Sequence, residues 1–308
     1  MSSPLIRLKR LGGQLSIQDF GRRHSMQNGV TEAGAADIQA FCWANKLLDK
    51  AVGSAMFEIT LGNLELEFLA DCQVAITGAD LSATIDGAPV LPWRTYTINA
   101  GGRLLFGFPK SGLRAYLAVN AELDLPSHYQ SHSSVAHENL VGALNYVVGK
   151  VFNAEQINQA TMARGVARRF IPDYQQPLTV EVMLGYQSED FSQQALEQLF
   201  FADYTIRPDS NRMAYRLEGP TISHTIQQLY SEGIAYGAIQ IPPDGQPVVL
   251  LNDRQTMGGY PKVGCITRLS GSSLAQRMPG TSVKFEPVTI KQSGLQWTRF
   301  LRFFDGPE

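Results

Sequence analysis

The chain reads GAIQIPPDGQPVVLLNDRQTMGGYPK from Gly237 to Lys262. The apolar residues on either side of Asp244-Gly245 predict two buried strands joined by a tight turn, because D-G is typical of hairpin turns. The second strand leads into a polar loop that contains glycine. Buried strands fix the ends of such a loop, so its amides and side chains can face a ligand. The candidate substrate-binding residues of the loop are Gln255, Thr256, Gly258, Gly259 and Tyr260, and Lys262 follows them.

An earlier part of the chain repeats this pattern. Asp86-Gly87-Ala88-Pro89-Val90 resembles Asp244-Gly245-Gln246-Pro247-Val248. Each is followed by an aromatic residue, Pro, Lys, any residue and Gly, at 108–112 and at 260–264. Either half alone proves little, since D-G turns are common. Both halves in the same order predict two related β-rich modules in one chain.

Apolar alternation predicts a mainly β chain with a few helices. Turn residues separate the apolar runs between 55 and 119 at intervals of roughly ten residues, which is typical of a β-barrel or sandwich. We assign a first β-barrel module to residues 1–150, a linker region to 151–177 and a second barrel module with a C-terminal tail to 178–308. We expect the tail to dock on the body or on a partner. Helical spacing predicts helices at Ala35–Leu48 with Asp37 near its start, at Ser192–Ala202 and at Leu274–Met278.

Bulk properties exclude several classes of protein. The net charge of −2, from 26 basic and 28 acidic residues, lacks the basic field of a nucleic-acid binder. No apolar run is long enough to span a bilayer, and the first residues lack a stretch of signal-peptide length. We therefore expect a cytoplasmic protein with no membrane partner. Cys42, Cys72 and Cys265 lack metal-binding or disulfide spacing, so we expect three buried thiols.

Motifs for cofactors are missing from the sequence. The nearest match to a Walker A loop, at Gly149-Lys150-Val151, has Val151 where the motif requires Ser or Thr. The sequence also contains no G-x-S-x-G elbow and no Met-Lys-Met carrier sequence. ATP, and biotin if it takes part, would have to come from partner subunits. His128, His132 and His137 could form a zinc site on a helix, or lie in a solvated, serine-rich loop. We favour the loop and expect no metal.

Several polar residues could form a binding site, and each has a structural alternative. Lys262 and Arg212 could bind anionic oxygens or form structural ion pairs. The amides of Gly258 and Gly259 could stabilise an oxyanion, or the glycines could permit positive φ in a turn. Gln240 and Gln255 could be planar amide clamps or polar strand ends. Asp244 is expected to shape its D-G turn rather than act as a base.

A series of short motifs resembles the biotin-dependent carboxyltransferase family, also called allophanate hydrolase subunit 2. The resemblance runs from about Leu5 to Pro287. The motifs include Gln18-Asp19-x-Gly21-Arg22, Glu58-x-Thr60-x-Gly62, Ile76-Thr77-Gly78-Ala79-Asp80, Arg114-Ala115-Tyr116-Leu117, Asn211-Arg212-Met213, Gly237-Ala238-Ile239-Gln240, Gln255-Thr256-x-Gly258-Gly259-Tyr260-Pro261 and Ala275-Gln276-x-x-Pro279-Gly280.

The resemblance implies two cyclophilin-like β-barrel modules and partner subunits. Bacterial stand-alone members of the family are largely the C component of 5-oxoprolinase. With a B subunit and an A subunit they open 5-oxo-L-proline to L-glutamate at the expense of ATP. Related sequences form the carboxyltransferase part of urea carboxylase, and others are regulators of a sporulation kinase. The alternatives are therefore a hydrolase component that acts on a cyclic amide, a urea-type carboxyltransferase component and a non-catalytic regulatory subunit.

The chain departs from the family pattern mainly in the first module. Asn120-Ala121 and Ser131-His132-Ser133-Ser134 replace a Gly-Gly and a Ser-Arg-Ser-Thr, and a glycine-rich segment is replaced at 142–145. An Asp expected near Ser270-Gly271 is also missing. The loop of the second module is nearly intact. We therefore expect Lys262 and Arg212 to be catalytic and Gln240, with the 255–260 loop, to hold a small amide or carboxyl group.

Overall fold

A computed structural model of the chain describes residues 2–136, 138, 146–226 and 229–305. Within these ranges it contains twenty-one strands and four α-helices, which confirms the prediction of a mainly β chain with a few helices. The chain forms two compact units, Met1–Arg22 with Ala33–Gln175 and Arg23–Glu32 with Gln176–Glu308. The short segment Arg23–Glu32 thus belongs to the second unit, although both of its flanks belong to the first.

The first unit consists of two sheets and one α-helix in its described part. Its elements are β1 (Ser3–Leu11), β2 (Gln14–Gln18), α1 (Ile38–Leu47), β3 (Met56–Thr60), β4 (Leu64–Phe68), β5 (Cys72–Asp80), β6 (Thr84–Ile85), β7 (Ala88–Pro89), β8 (Arg94–Ile98), β9 (Arg103–Phe106), β10 (Ser111–Val119), β11 (Ala121–Leu123) and β12 (Val151–Ile157). The strand orders are β11-β12-β1-β4-β9-β6-β7 and β2-β3-β10-β5-β8. The described strands of this unit therefore hydrogen-bond into two sheets, whereas the closed barrel occurs in the second unit.

Side-chain alternation explains the first core. In β4 the apolar residues Leu64, Leu66 and Phe68 are fully buried, while Glu65 and Glu67 between them are half-buried. Helix α1 begins close to the predicted start, because the Asp37 carboxylate accepts hydrogen bonds from the amides of Gln39 and Ala40 at 3.0 and 3.1 Å.

The assignment of 151–177 as a linker needs correction at its start. Residues Val151–Ile157 form strand β12, which pairs with β1 and β11 in the seven-stranded sheet. Of its residues only Phe152 and Ala154 are buried, so the apolar pattern is too short to predict a strand. The first unit accordingly extends to Gln175.

The second unit contains a closed barrel and, among its described residues, three α-helices. Its elements are β13 (Leu178–Leu184), α2 (Gln193–Phe201), β14 (Tyr204–Ile206), β15 (Ala214–Glu218), β16 (Glu232–Gly233), β17 (Ala238–Gln240), β18 (Val248–Leu250), β19 (Met257–Gly258), β20 (Lys262–Ile266), α3 (Arg268–Leu274), β21 (Ser282–Pro287) and α4 (Ile290–Phe304). The barrel order is β13-β20-β17-β18-β15-β14-β21, and β16 and β19 form a separate two-stranded ribbon. Apolar side chains from these strands fill the interior, including Val180, Ile239, Val249, Val263 and Phe285.

Two helices of the second unit differ from the sequence predictions or extend them. Helix α3 lies before the predicted Leu274–Met278, because Thr267 caps it by accepting a hydrogen bond from the Ser270 amide at 3.2 Å. The tail forms helix α4, whose Leu301 and Phe304 are buried.

The cysteines are free, and Cys42 and Cys72 are buried as predicted, whereas Cys265 is only half-buried. No helix in the described ranges combines the length and apolarity needed to cross a membrane.

Candidate functional site

The candidate site begins on the outer face of the barrel. Strands β17 and β20 pair with Gln240 opposite Lys262, after a bulge next to Ile239. Ile239 and Val263 belong to the barrel interior. Because neighbouring side chains of a strand point to opposite faces, Gln240 and Lys262 emerge together on the outer face. The bulge is the local distortion that brings them into register.

The Lys262 ammonium forms an ion pair with the carboxylate of Glu232. Tyr186 donates its hydroxyl to Glu232 Oε2 at 2.6 Å, and Gln187 Nε2 donates to Glu232 Oε1 at 2.7 Å. Gln187 Oε1 in turn accepts the backbone N–H of Lys262 at 2.7 Å. The hydrogen bonds from Lys262 and then Tyr186 lower the pKa of Glu232, and the same carboxylate raises the pKa of Tyr186. The cluster therefore holds an ionised carboxylate and an ammonium at fixed positions.

Gln240 brings a buried amide to the same place. Gln240 is only 3% exposed, and its Nε2 donates to no acceptor in the described part of the chain. A methyl group added at Gly258 would lie 3.0 Å from Gln240 Nε2 and 3.4 Å from Gln255 Nε2. Strand β19 pairs Gly258 with Glu232, so the glycine also lies opposite the residue that holds Lys262. The side-chain amides of Gln240 and Gln255 therefore lie close to the backbone of Gly258, next to the Lys262–Glu232 ion pair.

Gly258 allows close approach rather than an unusual backbone conformation. Neither Gly258 nor Gly259 has a positive φ, so the alternative of a positive-φ turn does not apply to them. An added methyl at Gly258 would lie 2.5 Å from Ile234 Cδ1, whereas the nearest atom to one at Gly259 would be Ser231 Oγ at 3.6 Å. Of the two glycines, Gly258 is therefore the one that packing requires.

The other two loop residues have modest roles in this arrangement. The Thr256 carbonyl accepts the Ile234 N–H at 3.1 Å, which fastens the loop to the segment that leads out of β16. Tyr260 is 47% exposed. Thr256 therefore holds the loop through its backbone, and Tyr260 lies at the edge of the site.

The structure does not bring Arg212 to Lys262. Arg212 makes a two-pronged ion pair with Asp253, with Nε and Nη2 at 2.9 and 2.8 Å from the carboxylate oxygens. Arg212 lies just before Ala214, which pairs with Leu250, whereas Gln240 pairs with Val248. The Arg212–Asp253 pair is therefore beyond the opposite end of β18. The ion pair with Asp253 favours a structural role for Arg212. In that role Arg212 fixes the turn after β18.

Asp244 in the D-G turn and the serine-rich segment 131–134 of the first unit form hydrogen bonds that hold the local backbone in place. Asp244 Oδ1 accepts the Gln246 amide at 3.1 Å, which shapes the turn as expected. In the first unit Asp19 accepts hydrogen bonds from Ser131 Oγ, His132 N and Ser133 Oγ at 2.6–2.7 Å. His132 Nδ1 lies 3.0 Å from the Pro126 carbonyl. These contacts fasten the serine-rich segment next to β2.

The candidate metal ligands do not assemble in the described part of the chain. His137 and residues 142–145 lie outside the described residues, so the three-histidine arrangement is not placed as a whole. Among the residues that are described, no group of three or more His, Cys, Asp or Glu side chains could hold a metal ion.

Four residues of the site do not follow from sequence reasoning: Glu232, Gln187, Tyr186 and Arg254. The first three lie 30 to 76 positions from Lys262 and match no short motif, so only the fold reveals them. Arg254 is 2% exposed and donates to the Ile234 carbonyl at 2.9 Å, with an ion pair to Glu32 at 2.9 Å. The sequence indicates Arg254 only by its position inside the glycine-containing loop. It anchors the segment between β16 and β17.

Comparisons with known proteins agree with this fold. The family described as carboxyltransferase domain, subdomain A and B, matches residues 28–287. The C component of 5-oxoprolinase from Escherichia coli is 31% identical over 94% of this chain and 93% of its own length. The urea amidolyase of Saccharomyces cerevisiae is 26% identical over 92% of this chain, which spans 16% of that protein. The crystal structure of Kluyveromyces lactis urea carboxylase has a TM-score of 0.91 and 22% identity, covering 99% of this chain and 29% of that one.

The residues matched by the family extend through both units and include the loop with Gln255, Gly258 and Lys262. This confirms the resemblance found in the sequence motifs. The chain belongs to the carboxyltransferase domain family, subdomain A and B.

Proposed function

We propose that the chain is the C component of a multi-subunit 5-oxoprolinase, a cytoplasmic enzyme that hydrolyses 5-oxo-L-proline to L-glutamate with ATP. The support is a bacterial relative of that name which this chain matches along nearly its whole length. Partner subunits A and B would complete the enzyme. ATP, and biotin if it takes part, would come from those partners, because this sequence lacks the corresponding motifs.

The observation that carries the proposal is the unpaired amide of Gln240. A buried N–H without an acceptor costs about 1–3 kcal/mol, so an oxygen supplied by a ligand is stabilising there. Gln240 Nε2 is such a donor, and it lies against Gly258 and close to Gln255 Nε2. The carbonyl oxygen of a planar lactam has the acceptor geometry that these amides require.

The remaining residues have complementary roles in this proposal. Lys262 binds the substrate carboxylate, with Glu232, Gln187 and Tyr186 fixing the position of its ammonium. The amides near Gly258 and Gly259 stabilise negative charge on the carbonyl oxygen. During hydrolysis a water oxygen bonds to the carbonyl carbon, the ring C–N bond breaks, and the nitrogen takes up a proton. Hydrolysis of ATP on the partner subunits drives this step.

Reconstitution with the A and B partners tests the proposal. Glutamate formed from 5-oxo-L-proline and ATP is measured for the wild type, Gln240→Leu and the control Gln194→Leu. Gln194 is exposed on α2, which contributes none of the residues described for the site. We expect Gln240→Leu to lower kcat/KM at least about tenfold, the equivalent of one hydrogen bond of about 1.4 kcal/mol, and Gln194→Leu to have no effect.

The outcomes separate the function from the site. No turnover by a fully assembled wild-type complex would contradict the 5-oxoprolinase assignment and favour a regulatory subunit. Normal turnover by Gln240→Leu would contradict the site while leaving the function intact.

A second candidate is carboxyl transfer in a urea- or allophanate-type system. The relation to urea amidolyase over 92% of this chain favours it. The same amide donors would then hold the carbonyl oxygen of urea. Biotin- and bicarbonate-dependent carboxylation of urea with a biotin carboxylase partner, in the absence of 5-oxoproline cleavage, would establish this alternative.

A further inference from the structure

The second unit contains a cavity of 420 Å³ that shares no lining residue with the candidate site. Helix α4, strand β13 and the connection from β20 to α3 supply its walls. Ligand pockets in proteins typically have volumes of about 300–1,000 Å³, so this cavity can hold a small molecule. Its walls combine apolar and polar groups, among them Met183, Tyr236, Arg268, Ile290, Gln296 and Trp297.

Arg268 gives the cavity a cationic wall. Its guanidinium carbon lies 4.7 Å from the centre of the Tyr236 ring, and its Nη2 lies 3.7 Å from Glu32 Oε2. The same Glu32 oxygen lies 2.9 Å from Arg254 Nη2, so one carboxylate is shared by two guanidinium groups. The Arg268 side chain remains 47% exposed. An anionic group in the cavity would therefore find a stacked, pre-positioned guanidinium.

Gln296 contributes an acceptor to the same cavity. Its Nε2 donates to Glu181 Oε1 at 2.8 Å, while its Oε1 is buried and accepts from no donor in the described part of the chain. The other Glu181 oxygen accepts the Thr267 hydroxyl at 3.3 Å. Glu181 is engaged by these two donors and does not line the cavity, whereas Gln296 lines it and its Oε1 lacks a donor.

Gly294 keeps one wall of the cavity open. It lies inside helix α4, and glycine in a helix interior is less favourable for helix stability than alanine. A methyl group added there would meet no heavy atom within 4 Å, and its φ is not positive. Neither the backbone nor the packing of this chain requires a glycine at that position. Room for a bound molecule beside Trp297 would explain it.

We propose that this cavity binds a flat organic acid. Its apolar body packs against Trp297 and Ile290, its anionic group contacts Arg268, and an N–H or O–H of the ligand donates to Gln296 Oε1. The proposal concerns this chain alone and does not depend on the 5-oxoprolinase assignment.

Two fluorescent probes test the site with the full-length chain. Anilinonaphthalene sulfonate has a flat apolar body, one anionic group and one N–H, and phenylnaphthylamine lacks only the anionic group. We expect Arg268→Gln to weaken binding of the sulfonate about tenfold and to leave binding of the neutral probe within about twofold, since a charge-assisted hydrogen bond is lost. Arg216→Gln is the control, because Arg216 is also an exposed, ion-paired arginine.

Filling the cavity gives an independent measurement. We expect Gly294→Phe to abolish saturable binding of both probes, and Gly294→Ala to retain it, because alanine adds only a methyl group. Circular dichroism melting checks that each variant is folded. Unchanged affinity of a folded Gly294→Phe protein, or equal loss of both probes in Arg268→Gln, would overturn the proposal and indicate probe binding to exposed apolar surface.

Discussion

Lys262 and Glu232 form an ion pair on the outer face of the barrel, and Gln187 contacts both residues. The pair connects the start of β20 to the ribbon of β16 and β19. Gln240 lies opposite Lys262 in the neighbouring strand, and Gly258 lies opposite Glu232 in the ribbon. The ion pair therefore ties the ribbon that contains Gly258 to the strand next to the one that carries Gln240.

Replacing Lys262 tests its proposed contact with substrate. We expect Lys262→Met to lower kcat/KM for 5-oxo-L-proline about 10- to 100-fold in the reconstituted complex, because a charge-assisted hydrogen bond is worth about 1.5–3 kcal/mol. Lys284→Met is the matched control, since Lys284 is also a strand lysine and pairs with Asp203 at 3.5 Å. Equal activity of the two variants would show that Lys262 does not contact the substrate.

The Lys262–Glu232 pair predicts a pH dependence of stability. The pKa of Glu232 is lowered from its ordinary value of 4.5, first by the hydrogen bond from Lys262. A lowered carboxyl pKa means that the unfolded chain binds the proton more tightly. The stabilisation is therefore fully present above pH 4.5 and is lost as the pH falls through the lowered pKa of the folded state.

Urea unfolding of the wild type and Glu232→Gln at several pH values measures this effect. We expect the wild type to be more stable at neutral pH, and the difference to shrink in the acidic range below the ordinary carboxyl pKa. A difference that stays constant down to the acid transition would show that ionisation of Glu232 does not contribute.

Two neighbouring glycines provide a steric test of the loop. We expect Gly258→Ala to reduce the free energy of unfolding by about 1–3 kcal/mol, because its methyl group overpacks Ile234 and Gln240. It should also lower turnover by displacing the Gln240 amide. Gly259→Ala should be close to neutral in both measurements, since its methyl group would meet nothing nearer than 3.6 Å. Similar effects of the two substitutions would contradict this account.

Arg212 is expected to act on stability. Its side chain is 11% exposed and that of Asp253 is 8% exposed. Removing one member of a mostly buried ion pair costs about 3–5 kcal/mol, so Arg212→Met should lower the urea midpoint strongly. The double variant Arg212→Met/Asp253→Leu should recover part of that loss. If Arg212→Met instead retains full stability and loses turnover, a catalytic role for Arg212 would be supported.

Local patterns predict the elements whose apolar residues repeat regularly. Helices α1 and α2 lie within the predicted ranges Ala35–Leu48 and Ser192–Ala202, and their N-caps are Asp37 and Ser192. Strand β12 escapes prediction because its buried apolar residues are few, and α3 begins earlier than apolar spacing predicts because Thr267 caps it. Side-chain periodicity and capping are local, so they are accessible from the sequence.

The candidate site could be predicted only in part. Gln240, Gln255, Gly258 and Lys262 come from one segment, and the structure brings them together. Glu232 and Gln187 join them through pairing between distant segments, which a single sequence does not specify. Arg212 belongs to the same motif series but lies at the other end of β18, because strand register rather than sequence proximity determines which ends meet.

Segment Arg23–Glu32 belongs to the second unit, and this limits where the chain can be divided into fragments. Glu32 supplies the carboxylate for the buried Arg254, and the Thr31 hydroxyl donates to the carbonyls of Asn252 and Arg254. A fragment that starts at Gln176 would retain every barrel strand but leave Arg254 without that counter-charge. A cut in the chain at Gln176 would therefore remove from the second unit a segment that forms part of it.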